Sequence, residues 1–134
     1  MANGTSGAAV KADSTIILLA DDEEVVRHVG SDILNILGYQ TILASNGIEA
    51  ASLYAQHHDT IGCIILDWYM PGLSGMEVLQ RLWSVDKNAK ILIASGMGAP
   101  KELQGLINSG HPVNLLQKPY LVKDLQNELT RLLK

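Results

Sequence analysis

Two kinds of apolar run alternate along the chain. One is unbroken: Ile16 to Ala20 and Cys63 to Leu66 contain no polar position. Runs of that length, bounded by polar and turn residues, fit strands buried on both faces. The other is spaced: Val25, Val26, Val29, Ile33, Ile36 and Leu37 recur every three to four residues. That period predicts a helix over Glu23–Leu37, with Gly38 where a helix C-terminal glycine belongs. The alternation continues with a strand over Tyr39–Ala44 and a helix over Gly47–Gln56 that turns Ile48, Ala51 and Tyr54/Ala55 inward. A strand ending at Asp67 follows, then a third helix opening at Ser74-Gly75 with Val78, Leu79, Leu82 and Trp83 on one face. Lys90–Ala94 reads as a strand and Pro100–Ser109 as a weaker helix, because Gly105 lowers its propensity. Asn114–Gln117 is a short fifth strand, and Val122–Leu133 a helix striped by Leu125, Leu129 and Leu132. With Thr15–Ala20 as the first strand, strand and helix alternate five times over short connections. The prediction is an α/β fold, a doubly wound parallel sheet with helices on both faces.

The carboxyl ends of parallel strands share one edge, where open α/β sheets bind ligands. The residues placed there are Asp21 and Asp22 after the first strand, Asp67 at the end of the third, Ser95 after the fourth and Lys118 after the fifth. The second strand ends in Ala44-Ser45 and adds little. Taken singly, Asp67 reads as a loop residue, Asp21-Asp22 as a helix cap, Ser95 as a loop hydroxyl and Lys118 as a solvated lysine. Taken together they raise an electrostatic problem. Two unit charges 4 Å apart at an effective dielectric of about 20 interact by about 4 kcal/mol. Lys118 supplies one positive charge. A divalent cation supplies two, and hard oxygen ligands favour Mg²⁺. An Asp can act as a nucleophile toward phosphorus, and metal, amine and hydroxyl then stabilise the charge of a transferring phosphoryl group.

With these residues in place, the chain from about residue 15 to residue 134 resembles the receiver domain of two-component response regulators and hybrid histidine kinases. The matching marks are Asp21-Asp22, Asp67 followed by Met70-Pro71-Gly72 and Gly75, Ser95, and Lys118-Pro119. The resemblance implies a flavodoxin-like (βα)5 sheet with strand order 2-1-3-4-5. It makes Asp67 the acceptor of a phosphoryl group from a phosphohistidine on a histidine kinase or histidine phosphotransfer protein. Asp22, Asp67 and the Tyr69 backbone carbonyl become Mg²⁺ ligands, with Asp21 behind them. Ser95 contacts the phosphoryl oxygen and reports phosphorylation, Lys118 pairs with carboxylate or phosphoryl, and Pro119 follows a cis peptide bond. Trp68, Tyr69 and Met97 flank the site. Such a domain catalyses its own phosphorylation and dephosphorylation and is no metabolic enzyme. It stands alone or belongs to a larger protein such as a hybrid kinase, works in the cytoplasm, and in some members dimerises through the fourth and fifth helices. One departure concerns the switch: Leu115 stands where an aromatic residue is usual, so an inward-turning ring cannot couple to Ser95. Another is Pro112, in a loop usually made of small residues.

Composition narrows the alternatives. The 134 residues are 47% hydrophobic and 18% charged, enough for one core. A net charge of −4 gives no support for a nucleic-acid binder. The single cysteine, Cys63, falls inside a predicted strand and reads as an inert core thiol. His28, His57, His58 and His111 share no metal-ligand spacing. No apolar run approaches the ~18–20 residues that span a bilayer, so membrane contact is not expected. Met1 to Ser14 are small and polar, and read as a leader preceding the domain at 15–134. A flavodoxin would need a Ser/Thr/Gly-rich loop where four acids stand, an Asp-based phosphatase a second Asp where Tyr69 stands, and a P-loop NTPase a signature that is missing. The competing reading is a pseudo-receiver, a partner-binding module without phosphorylation; the intact Asp22, Asp67, Ser95 and Lys118 set argues against it.

Overall fold

The computed structural model describes residues 15–98 and 100–133; the leader read at residues 1–14 lies outside them. Five strands alternate with five helices: β1 (Ile16–Ala20), α1 (Glu24–Ile36), β2 (Gln40–Ala44), α2 (Gly47–His57), β3 (Ile61–Asp67), α3 (Gly75–Val85), β4 (Ile91–Ser95), α4 (Lys101–Asn108), β5 (Val113–Gln117) and α5 (Val122–Leu133). All strand pairs are parallel and the sheet order is β2-β1-β3-β4-β5. This is the doubly wound order expected.

The unbroken apolar runs divide by the two-residue period of a strand. Leu18, Ala20, Ile64, Leu66, Ile91 and Ile93 face one way and pack with Ala50 and Tyr54 of α2, Val78, Leu79 and Leu82 of α3, and Leu103 of α4. Ile17, Leu19, Cys63, Ile65, Leu92, Ala94 and Leu116 face the other way and pack with Leu34 of α1 and Leu125 and Leu129 of α5. Two cores sandwich the sheet, which is why β1 and the Cys63–Leu66 run of β3 carry no polar position. Cys63 is buried in the second core, and burial pushes its thiol up to about 12, as befits an inert core thiol.

The helix faces differ in part from the periodic reading. Of the six apolar residues assigned to α1, Val25 and Ile36 are 75% and 81% exposed, and Val29 is also exposed. The helix instead buries Gly30 and Leu34. Gly30 sits so close to Leu19 and Tyr120 that a Cβ there would meet them at 2.9 and 3.1 Å. In α2 the buried positions are Gly47, Ala50 and Tyr54; Ile48 and Ala55 face solvent. Gly38 follows α1 with φ 99°, a conformation that suits glycine. Among the described residues no helix is long and apolar enough to cross a membrane.

Candidate active site

The same alternation builds the site. The row Ile17, Leu19 continues to Asp21, the row Cys63, Ile65 to Asp67, and Leu116 to Lys118. All three side chains therefore emerge on the α1/α5 side of the sheet edge. Lys118 Nζ lies 3.1 Å from Asp21 Oδ2 and 3.5 Å from Asp67 Oδ2. One carboxylate oxygen from each of Asp21, Asp22 and Asp67 falls within 4.8 Å of the others.

Asp21 is fully buried and braced at every polar atom. Its N–H donates to the Ala44 carbonyl at 3.1 Å, its Oδ1 accepts from the Glu23 N–H at 2.9 Å, and its carbonyl accepts from Arg27 Nη1 at 2.7 Å. Asp67 is also buried, and accepts from the Tyr69 N–H at 3.3 Å. Burial, then the charge of Asp21, raise the Asp67 carboxyl to about 6, against the opposing pull of Lys118 and the Tyr69 N–H. Burial by itself would lower the Lys118 ammonium, but its bonds to Asp21 and Asp67 prevail and hold it above its ordinary value. Asp22 is exposed beside them. An open cavity of about 350 Å³ lies over the group, lined by Asp22, Glu23, Asp67, Tyr69, Gly96, Met97 and Lys118.

Of the residues singled out from sequence, Asp21, Asp22, Asp67 and Lys118 come together, and Tyr69 and Met97 stand exposed at the cavity wall. Trp68 does not line the mouth as expected. It is buried, in the same core as Leu66 and α3, because adjacent strand residues point to opposite faces. Ser95 is fully buried; its Oγ accepts from the Met97 N–H at 3.1 Å and makes no hydrogen bond to Asp67 or Lys118 among the described residues. Its carbonyl accepts from the Lys118 N–H at 3.1 Å, which ties β4 to the lysine-bearing end of β5. Leu115 packs half-buried against the α2/α3 core. The Lys118–Pro119 peptide is cis.

Neither Glu23 nor Arg27 is among the site residues expected from the sequence. Glu23 lines the cavity, with its carboxylate 3.9 Å from Lys118 Nζ. Arg27 was signalled only by its place one helical turn beyond Glu23, the residue that precedes α1.

A family profile described as the response regulator receiver domain matches residues 17–130. The chain belongs to that family. Its receiver domain is 30% identical over 105 residues to sporulation initiation phosphotransferase F of Bacillus subtilis, covering 74% of this chain and 83% of that protein. It is 27% identical over 126 residues to the sensor histidine kinase RcsC of Escherichia coli, covering 94% of this chain and 13% of the kinase. It also spans about half the length of the mycobacterial response regulators MprA that it matches. Among solved structures, a response regulator receiver domain protein from Clostridium thermocellum superposes with a TM-score of 0.78 at 26% identity, covering 89% of this chain and 94% of that one. The receiver domain of the hybrid histidine kinase CckA gives 0.74 at 28%, covering 89% and 99%. The architecture and the family are thus those of two-component signalling.

Proposed function

We propose that Asp67 is the phosphoacceptor of this receiver domain and that Mg²⁺ is its cofactor. The observation that carries the reading is the meeting of buried Asp67 with Lys118 at 3.5 Å and with two further carboxylates. The donor set fits a small hard cation: carboxylate oxygens at one open cavity, with room for waters and a phosphoryl oxygen. Asp22 and Asp67, with the Tyr69 carbonyl, would hold it, and Asp21 would back them. When bound, the cation supplies positive charge against the phosphoryl oxygens.

The chain's own residues do the rest. The Asp67 carboxylate attacks phosphorus, the bond to the donor histidine nitrogen breaks, and the imidazole leaves with the electron pair. Lys118 holds its ammonium beside the accepting oxygen and stabilises the charge that builds on the phosphoryl group. β3, buried on both faces, keeps the nucleophile in place. The donor has a landing surface beside the cavity: an apolar groove of about 360 Å³ lined by Val25, Val26, Val29, Lys118, Pro119 and Tyr120. Because Lys118 lines both groove and cavity, a histidine kinase or phosphotransfer protein seated on the groove brings its histidine to Asp67.

The test is incubation with Mg²⁺ and acetyl phosphate, read by intact mass. One phosphoryl group is expected on the wild type, and none on Asp67→Asn or in the presence of a chelator. A wild type that gains none overturns the reading in favour of a partner-binding module without phosphorylation.

A further inference from the structure

We infer that Arg27 is a positioning residue for the cation-binding carboxylates, acting through the peptide that joins Asp21 to Asp22. The inference rests on the reading that these carboxylates bind Mg²⁺. Asp22 stands at the cavity wall, exposed, and its carboxylate accepts no hydrogen bond among the described residues. What aims it is its backbone. The peptide unit is planar, so the Asp21 carbonyl oxygen and the Asp22 nitrogen and Cα share one plane. Asp21 is already held at its N–H by Ala44 and at its side chain by Glu23 and Lys118. Rotation of that plane is opposed directly by Arg27 Nη1, which donates to the carbonyl oxygen at 2.7 Å, a short charge-assisted bond.

Arg27 is well placed to do this. It sits in the first turn of α1, half-buried, on a helix seated against the sheet by Gly30 and Leu34. Among the described residues its guanidinium forms no ion pair with a carboxylate. It therefore acts as a strap from a fixed helix to the acidic loop.

Positioning and plain charge predict opposite signs. Removing a positive charge beside three carboxylates tightens cation binding; loosening a ligand weakens it. Mg²⁺ affinity of the purified protein, measured by calorimetry for wild type, Arg27→Met and Arg27→Lys, separates them. The expected result is a loss of about tenfold in Arg27→Met, the low end for residues that orient metal ligands, with part of it recovered in Arg27→Lys. Because Arg27 works through Asp22, the loss does not add to that of Asp22→Asn in the double variant. Unchanged or tighter binding in Arg27→Met, or additive losses, overturns the inference. A wild type that binds no Mg²⁺ overturns the cation site itself, and the inference with it.

Discussion

The helices that follow the two central strand ends are built to different standards. α3, which follows Asp67, opens with a capping box: the Ser74 hydroxyl accepts from the Glu77 N–H at 3.2 Å, and the Glu77 carboxylate accepts from the Ser74 N–H at 3.0 Å. It buries Gly75, Val78, Leu79 and Leu82, and its last turn is tied down by Trp83 Nε1 donating to the Ala89 carbonyl at 3.2 Å. α4, which follows Ser95, has eight residues, a proline at its N-cap with no side-chain bond, and one buried residue, Leu103. Elements with few buried apolar contacts open at lower free energy than the rest of a fold. Asp67 thus precedes a helix held at both ends, while Ser95 precedes one with a single fully buried residue. On the proposed function, in which Asp67 accepts the phosphoryl group and Ser95 reports it, that asymmetry keeps the acceptor still and lets the reporter move.

One substitution made on each side probes the contrast, and the larger effect falls on α3. A Cβ on Gly75 would lie 2.5 Å from the Trp68 ring atoms Cδ2 and Cε3. The ring is buried and cannot swing aside. Gly75→Ala is therefore expected to destabilise by about 1–3 kcal/mol, the cost of overpacking a filled core, even though alanine favours helix by about 0.5–1 kcal/mol. Urea denaturation reads this directly. A neutral or stabilising outcome would break the contrast at its stronger side.

The Asp67 side also stores an electrostatic cost that the Ser95 side does not. In the cation-free protein the Asp67 carboxyl sits at about 6, above its ordinary 3.8. Between those values the folded chain holds a proton that the unfolded chain has released, so stability falls as pH rises from about 4 to about 6 and stays lower above. The shift corresponds to about 1–2 kcal/mol after allowance for solvent at the cavity mouth. Asp67→Asn should raise stability at neutral pH by that amount in chelator and flatten its share of the pH profile. Ser95→Ala, which removes no titrating group, should leave the profile's shape alone. Parallel profiles for wild type and Asp67→Asn would show that Asp67 is ionised without cost.

These contrasts were only partly legible in the sequence. Strands buried on both faces leave no polar position, so β1 and β3 announced themselves, and parallel strands end on one edge, so Asp21, Asp67 and Lys118 could be placed together. The exposed Val25 and Ile36 could not be foreseen, because the residue that seats α1 is Gly30, which carries no hydropathic signal and is chosen by the approach of Leu19 and Tyr120. The burial of Trp68 was readable in principle, since its neighbour Asp67 faces the other way. Arg27 was not, because its bond to the Asp21 carbonyl depends on how the loop turns into the helix.

The smallest expected effect bears on the weaker helix. Gly105 lies inside α4 with nothing among the described residues within 4 Å of where a Cβ would stand, and its backbone is outside the left-handed region. Neither packing nor conformation therefore requires glycine there. Gly105→Ala should stabilise α4 by about 0.5–1 kcal/mol, slowing exchange of its amide hydrogens about two- to fivefold while leaving those of α3 unchanged. The same chemical change thus has opposite signs in the two helices, which ties the difference to local packing and removes alanine's general helix preference as its cause. Wild-type α4 amides that already exchange as slowly as those of α3 would show that α4 is firmly held despite its single buried residue. Faster exchange in α4, slowed by Gly105→Ala, would locate in that glycine the ease with which the helix beyond Ser95 opens.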